Sequence, residues 1–184
     1  AKALLENSYL VDSSVTPFVS WTSHNGVPGG SGGPDFIKYS PYPYIYNLKE
    51  GALKEIPITI APTRFPLNSN WHLAQYYFSH VNNSLVLRAF RKLFFYNQPV
   101  WARPVPGMTI DIFRGLLSEI KSKGLPFLTM MFHSSELMPG CSKYRPDNES
   151  IEELYILLED FFKLLEKNHI NSITLTEAAN RYEG

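Results

Sequence analysis

From Pro126 to Phe132 the chain runs Pro-Phe-Leu-Thr-Met-Met-Phe without polar alternation, then stops on His133-Ser134-Ser135-Glu136 before Pro139-Gly140 marks a turn. A short apolar run of this kind predicts a strand covered on both faces, as in a parallel sheet. The carboxyl ends of such strands are where catalytic side chains collect in α/β sheets and barrels. The segment from Leu125 to Gly140 is therefore read as a buried strand feeding a working face.

The remaining pattern supplies helices and short strands around it. Ala1 to Asn7 reads as the last turns of a helix with Asn7 as C-cap, so the chain is expected to begin inside a domain. Tyr9 to Val15 predicts a short strand tipped by Asp12, and Leu53 to Ile60 a second one whose Pro57 argues for an edge or an end. Between them, Thr22 to Pro43 is rich in glycine and proline; its aromatic residues predict an ordered loop over one end of the domain. Trp71 to Tyr77 is ambiguous, with one or two helical turns as one reading. Ser84 to Tyr96 places Leu87, Phe90 and Phe94 at helical spacing, and Val100 to Pro104 is a strand candidate. Thr109 is an expected N-cap for a helix with Ile110, Phe113, Leu116, Leu117 and Ile120 on one face and a stop at Gly124. Ser150 and Glu153 form an expected capping box for a helix reaching Asn168; a strand at Ser172 to Leu175 and a helix from Thr176 to Tyr182 follow. This alternation predicts an α/β fold with parallel strands.

Composition narrows the possibilities. The length of 184 residues and the 44% hydrophobic content suit one domain over 1–184. Lysine plus arginine and aspartate plus glutamate both number 17, so no overall field draws the chain to nucleic acid or an anionic membrane. No apolar run is long enough to span a bilayer, and no stretch reads as a signal peptide. The single Cys141 cannot pair internally, which favours a reducing, cytoplasmic setting. The glycine-rich loop lacks phosphate-binding spacing and a following helix with lysine, which excludes a P-loop. His72 and His80, eight apart, are poorly spaced for a metal pair.

Several residues admit two readings. His133 is either a general acid or a histidine that hydrogen-bonds a turn. Glu136 either orients His133 or binds a sugar hydroxyl, or else it starts a helical turn or faces water. Asp12 is a turn cap or a site residue, and Asp35 favours a turn. Tyr42 and Tyr44, within the tyrosine-rich stretch, either stack on sugar rings or anchor the loop.

Asp12-Ser-Ser-Val15, Gly33-Pro-Asp35-Phe36, Glu55-Ile-Pro-Ile-Thr59 and Phe132-His-Ser-Ser-Glu-Leu-Met-Pro-Gly140 together resemble the polysaccharide deacetylases with NodB homology (carbohydrate esterase family four), closest to the branch in bacterial surface-polysaccharide assembly. The likeness runs from about Tyr9 to about Glu177 and covers the C-terminal part of that domain. It implies part of an irregular (β/α) barrel, a carbohydrate substrate, and His133 as the acid that protonates the leaving amine, with Asp12 and Glu136 as neighbours. It further implies a divalent metal, usually zinc, held by an aspartate and two histidines from segments absent from this sequence. The chain alone is accordingly expected to be inactive. Two rivals stand beside it: a non-catalytic carbohydrate-binding or assembly module of the same fold, and a glycosidase pairing Glu136 with Asp12 or Asp35.

Overall fold

The computed structural model describes residues 1–27, 29–94 and 98–183, with the Phe94 side chain outside the description. The chain order is α1 (Lys2–Glu6), β1 (Val11–Asp12), β2 (Tyr44–Leu48), β3 (Gly51–Glu55), β4 (Ile60–Ala61), α2 (Trp71–His80), α3 (Leu85–Phe94), β5 (Val100–Trp101), α4 (Ile110–Ser122), a 3₁₀ turn at Ser134–Leu137, α5 (Asn148–Lys167) and α6 (Leu175–Arg181). The fold is mixed α/β. The sequence expectation of parallel strands holds for one pair alone among the described residues. β1 and β3 are parallel, whereas β2–β3 and β4–β5 are antiparallel. For β2–β3 the cause is local, because a two-residue turn at Lys49-Glu50 can only return the chain antiparallel. β2 itself was not anticipated, since its tyrosines follow directly on the proline-rich loop.

Helix ends follow capping chemistry. The Thr109 hydroxyl accepts from the Ile112 N–H at the start of α4. At its end Gly124 takes φ +68°, and Leu125 N–H reaches back to the Ile120 carbonyl. The start of α5 differs from the expected Ser150 cap. Asp147 is the N-cap, its carboxylate accepting from Ser150 N–H at 2.9 Å, so the helix begins a turn earlier. Thr174 and Glu177 cap α6 reciprocally.

The segment 126–133 forms no regular strand, which corrects the sequence reading. It is extended and half-buried from 127 to 132, and among the described residues it is hydrogen-bonded along one side only. Thr129 N–H donates to the Thr59 hydroxyl and Met131 N–H to the Ala102 carbonyl, while the Thr129 carbonyl accepts from Thr59 N–H. A side-chain oxygen thus stands where a ladder would have a carbonyl. The amides of Leu128, Met130 and Phe132 find no partner among the described residues. The run is nonetheless central to packing. Met131 packs on the cluster of Phe18, Ile58, Ile60 and Tyr77; Leu128 and Met130 pack on Leu116, Leu117 and Ile120 of α4; Phe127 packs on Ile56 and Ala178. Lack of polar alternation is thereby explained, since both faces meet apolar neighbours. The stretch expected as a strand at Ser172–Leu175 is likewise irregular, with α6 starting at Leu175. A groove of about 790 Å³ runs between 126–132 and 170–175.

Candidate functional site

At the end of the extended segment, His133 (φ −93°, ψ 146°) opens the 3₁₀ turn as an exposed residue. Glu136 lies beneath it, fully buried. Its Oε1 accepts from His133 N–H at 3.2 Å and from Arg103 Nη2 at 2.7 Å. Of the alternatives for Glu136, facing water is overturned by its burial: it sits in the 3₁₀ turn and holds His133 by the backbone N–H. Glu136 Oε2 and Arg103 Nε are both buried and unpaired. They belong to the same ion pair, and a side-on guanidinium–carboxylate arrangement would join them.

Arg103 arrives from the end of β5, and its guanidinium lies 5.0 Å from the centre of the Tyr144 ring. Tyr144 sits on a tight turn in which Ser142 pairs with Arg145. Arg145, 2% exposed, donates from Nη2 to the Pro104 carbonyl at 2.6 Å. Two arginines therefore lock the loop after His133 onto Ala102-Arg103-Pro104. Beside them is a pocket of about 490 Å³ lined by Trp21, Trp101, Arg103, Met108, Ile112 and Tyr144, among others. Trp21 meets Trp101 edge-on at 6.1 Å, and its indole N–H donates to the Thr16 hydroxyl. The glycine-rich loop holds this position: Trp21 N–H bonds the Pro34 carbonyl and Gly33 N–H bonds the Trp21 carbonyl.

The other expected residues lie elsewhere. Asp35 accepts from Ile37 N–H at 3.1 Å, an Asx turn. The Tyr42 hydroxyl donates to the Lys123 carbonyl, and its ring leans on Trp71, so it anchors the loop to the end of α4. The Tyr44 hydroxyl donates to that of Tyr46 at 3.0 Å, and burial pushes the phenols of both upward. Asp12 pairs in register with Glu55, and no hydrogen bond or ion pair among the described residues joins it to His133 or Glu136. Glu55, fully buried, accepts from Val15 N–H at 3.0 Å. Burial pushes its carboxyl up to about 7 against the counter-effect of the Val15 bond, with the neighbouring Asp12 charge adding to the rise.

Arg103, Tyr144, Trp21 and Trp101 were missed as site residues by sequence reasoning. The one available signal was an arginine at a strand end next to proline, the same logic that picked out His133. Among the described residues no group of three or more His, Cys, Asp or Glu could hold a metal ion. No family model, curated protein or solved structure matches the chain.

Proposed function

We propose that this chain is the C-terminal part of a polysaccharide deacetylase-like (β/α) barrel that, with its upstream part, hydrolyses N-acetyl groups on a bacterial surface glycan or its precursor. The observation that carries the reading is the exposed His133 at the end of an extended segment, its backbone pinned by the buried Glu136–Arg103 pair. A general acid needs access to substrate and its backbone held still, and this arrangement supplies both. His133 would deliver a proton to the amine nitrogen as the carbon–nitrogen bond breaks. A divalent metal would polarise the acetyl carbonyl; the residues described here do not form its donor set, so the part of the reaction assigned to this chain is the proton. The open groove beside 126–132 supports the same reading, because further barrel strands would pair with its free amides. The aromatic pocket beside Arg103 offers a face for a pyranoside ring.

The glycosidase reading gains nothing from the geometry, as Glu136 is committed to Arg103 and Asp35 to a turn. The test is acetate release from chitooligosaccharide by the polypeptide extended upstream, with and without His133→Ala. A general acid contributes roughly 100-fold to 10,000-fold, so the variant should lose that much in kcat. Unchanged turnover removes His133 from the mechanism. This chain alone should release no acetate, while quenching of tryptophan fluorescence by the same oligosaccharide would report the pocket of Trp21 and Trp101.

A further inference from the structure

Between Glu55 and Asp111 the sequence contains no acidic residue, yet it carries Arg64, Arg88, Arg91, Lys92 and Arg103. The formal neutrality of the chain therefore hides a segregation: five cations lie in this stretch, leaving twelve basic against seventeen acidic residues in the rest. Three of the five are on α3, Leu-Val-Leu-Arg-Ala-Phe-Arg-Lys-Leu-Phe, which has no carboxylate of its own. No ion pair engages Arg88, Arg91 or Lys92 among the described residues.

The apolar side of the same helix is only partly used. Leu87 and Phe90 pack on the cluster of Tyr77 and Val81. Leu85, Val86 and Leu93 remain 79%, 76% and 73% exposed. At 100° per residue, Leu85, Val86, Ala89 and Leu93 share one arc of about 100°; Lys92 and Arg88 border it about 20° and about 60° beyond Leu85, and Arg91 lies opposite the stripe, where it donates to the Asn82 side-chain oxygen. An aqueous surface gains nothing from such a stripe; a bilayer interface takes aliphatic side chains into the acyl boundary and lets bordering lysines and arginines reach the headgroups.

We propose that α3 docks this protein on an anionic lipid surface, lying in the interfacial plane with Leu85, Val86 and Leu93 inserted and Arg88 and Lys92 against phosphate headgroups. The charge selects the partner: an acid-free basic helix is complementary to anionic lipid, and it would be indifferent to a zwitterionic one. This is attachment at the interface, not a span, since no helix among the described residues is long and apolar enough to cross a membrane.

The experiment is co-sedimentation of the full chain with vesicles of phosphatidylcholine alone and of phosphatidylcholine with about one third phosphatidylglycerol. Wild type should bind the anionic vesicles and leave the neutral ones. Each cation near such a surface contributes about fivefold in binding, so R88A/K92A should weaken it about 25-fold, and a rise to about 1 M salt should weaken it at least as much. V86E/L93E should abolish binding while keeping the thermal unfolding midpoint, because both side chains are largely in water. Equal binding to both vesicle types overturns the proposal, as does a folded wild type that binds neither. A wild-type dimer in the absence of lipid, dissociated by V86E/L93E, would assign the face to a second copy instead and overturn it equally.

Discussion

Glu55 is a carboxyl group whose environment differs sharply between folded and unfolded chains. Its ordinary value of 4.5 rises to about 7 on burial beside Asp12. The folded chain therefore binds this proton more tightly than the unfolded one, and Glu55 contributes stability in full below about pH 4.5 that is lost as pH climbs through 7. Each unit is worth about 1.4 kcal/mol, so Glu55→Gln should stabilise the chain by up to about 3 kcal/mol at pH 8 and by little at pH 4. Urea unfolding of both proteins at the two pH values checks it; a gap of equal size at both would show that burial of Glu55 carries no proton linkage. At this scale the sequence was an uneven guide. His133 and Glu136 stood out because an apolar run stopped on them. Glu55 entered only within the Glu55-Ile-Pro-Ile-Thr59 segment of the resemblance, where nothing marked it as a buried carboxyl. Arg103 lies 33 residues before the carboxylate it meets, a pairing invisible without the fold.

Helices were far more legible than strands. The apolar face of α4 and its Thr109 and Gly124 boundaries could be read directly, because a helix is specified by neighbours within four residues. α5 shows where that locality becomes ambiguous: Asp147 with Ser150 and Ser150 with Glu153 both have capping spacing, and the earlier pair governs. Asp147→Ala should accordingly cost about 1 kcal/mol, a fall in melting temperature of roughly 2–4 °C for a chain of this size, and Glu153→Ala should cost less. A melt in which Glu153→Ala is the worse variant would return the cap to Ser150. Strands depend on partners that are remote in sequence. The segment 126–133 was found as an apolar extended run, but whether it pairs on two sides, one or none lay outside its own residues.

Across the whole molecule, that segment joins three separate apolar clusters, through Phe127, then Leu128 and Met130, then Met131. Its importance was evident in its composition; its role as a bridge between clusters was not, because which neighbours cover each face is set by α4, α6 and the loop around Phe18. The mixed α/β class followed from the alternation of elements, while strand direction did not. One feature of the bridge has a kinetic outcome. Thr129, Met131 and His133 give their amide hydrogens to oxygen acceptors within the protein, and among the described residues Leu128, Met130 and Phe132 find none. In deuterated water the even-numbered amides should therefore exchange with little protection and the odd-numbered ones far more slowly, a two-residue beat along a single stretch of chain. Residue-resolved exchange by NMR would detect it. Uniform protection from 128 to 133 would mean that a second strand already covers that edge in solution.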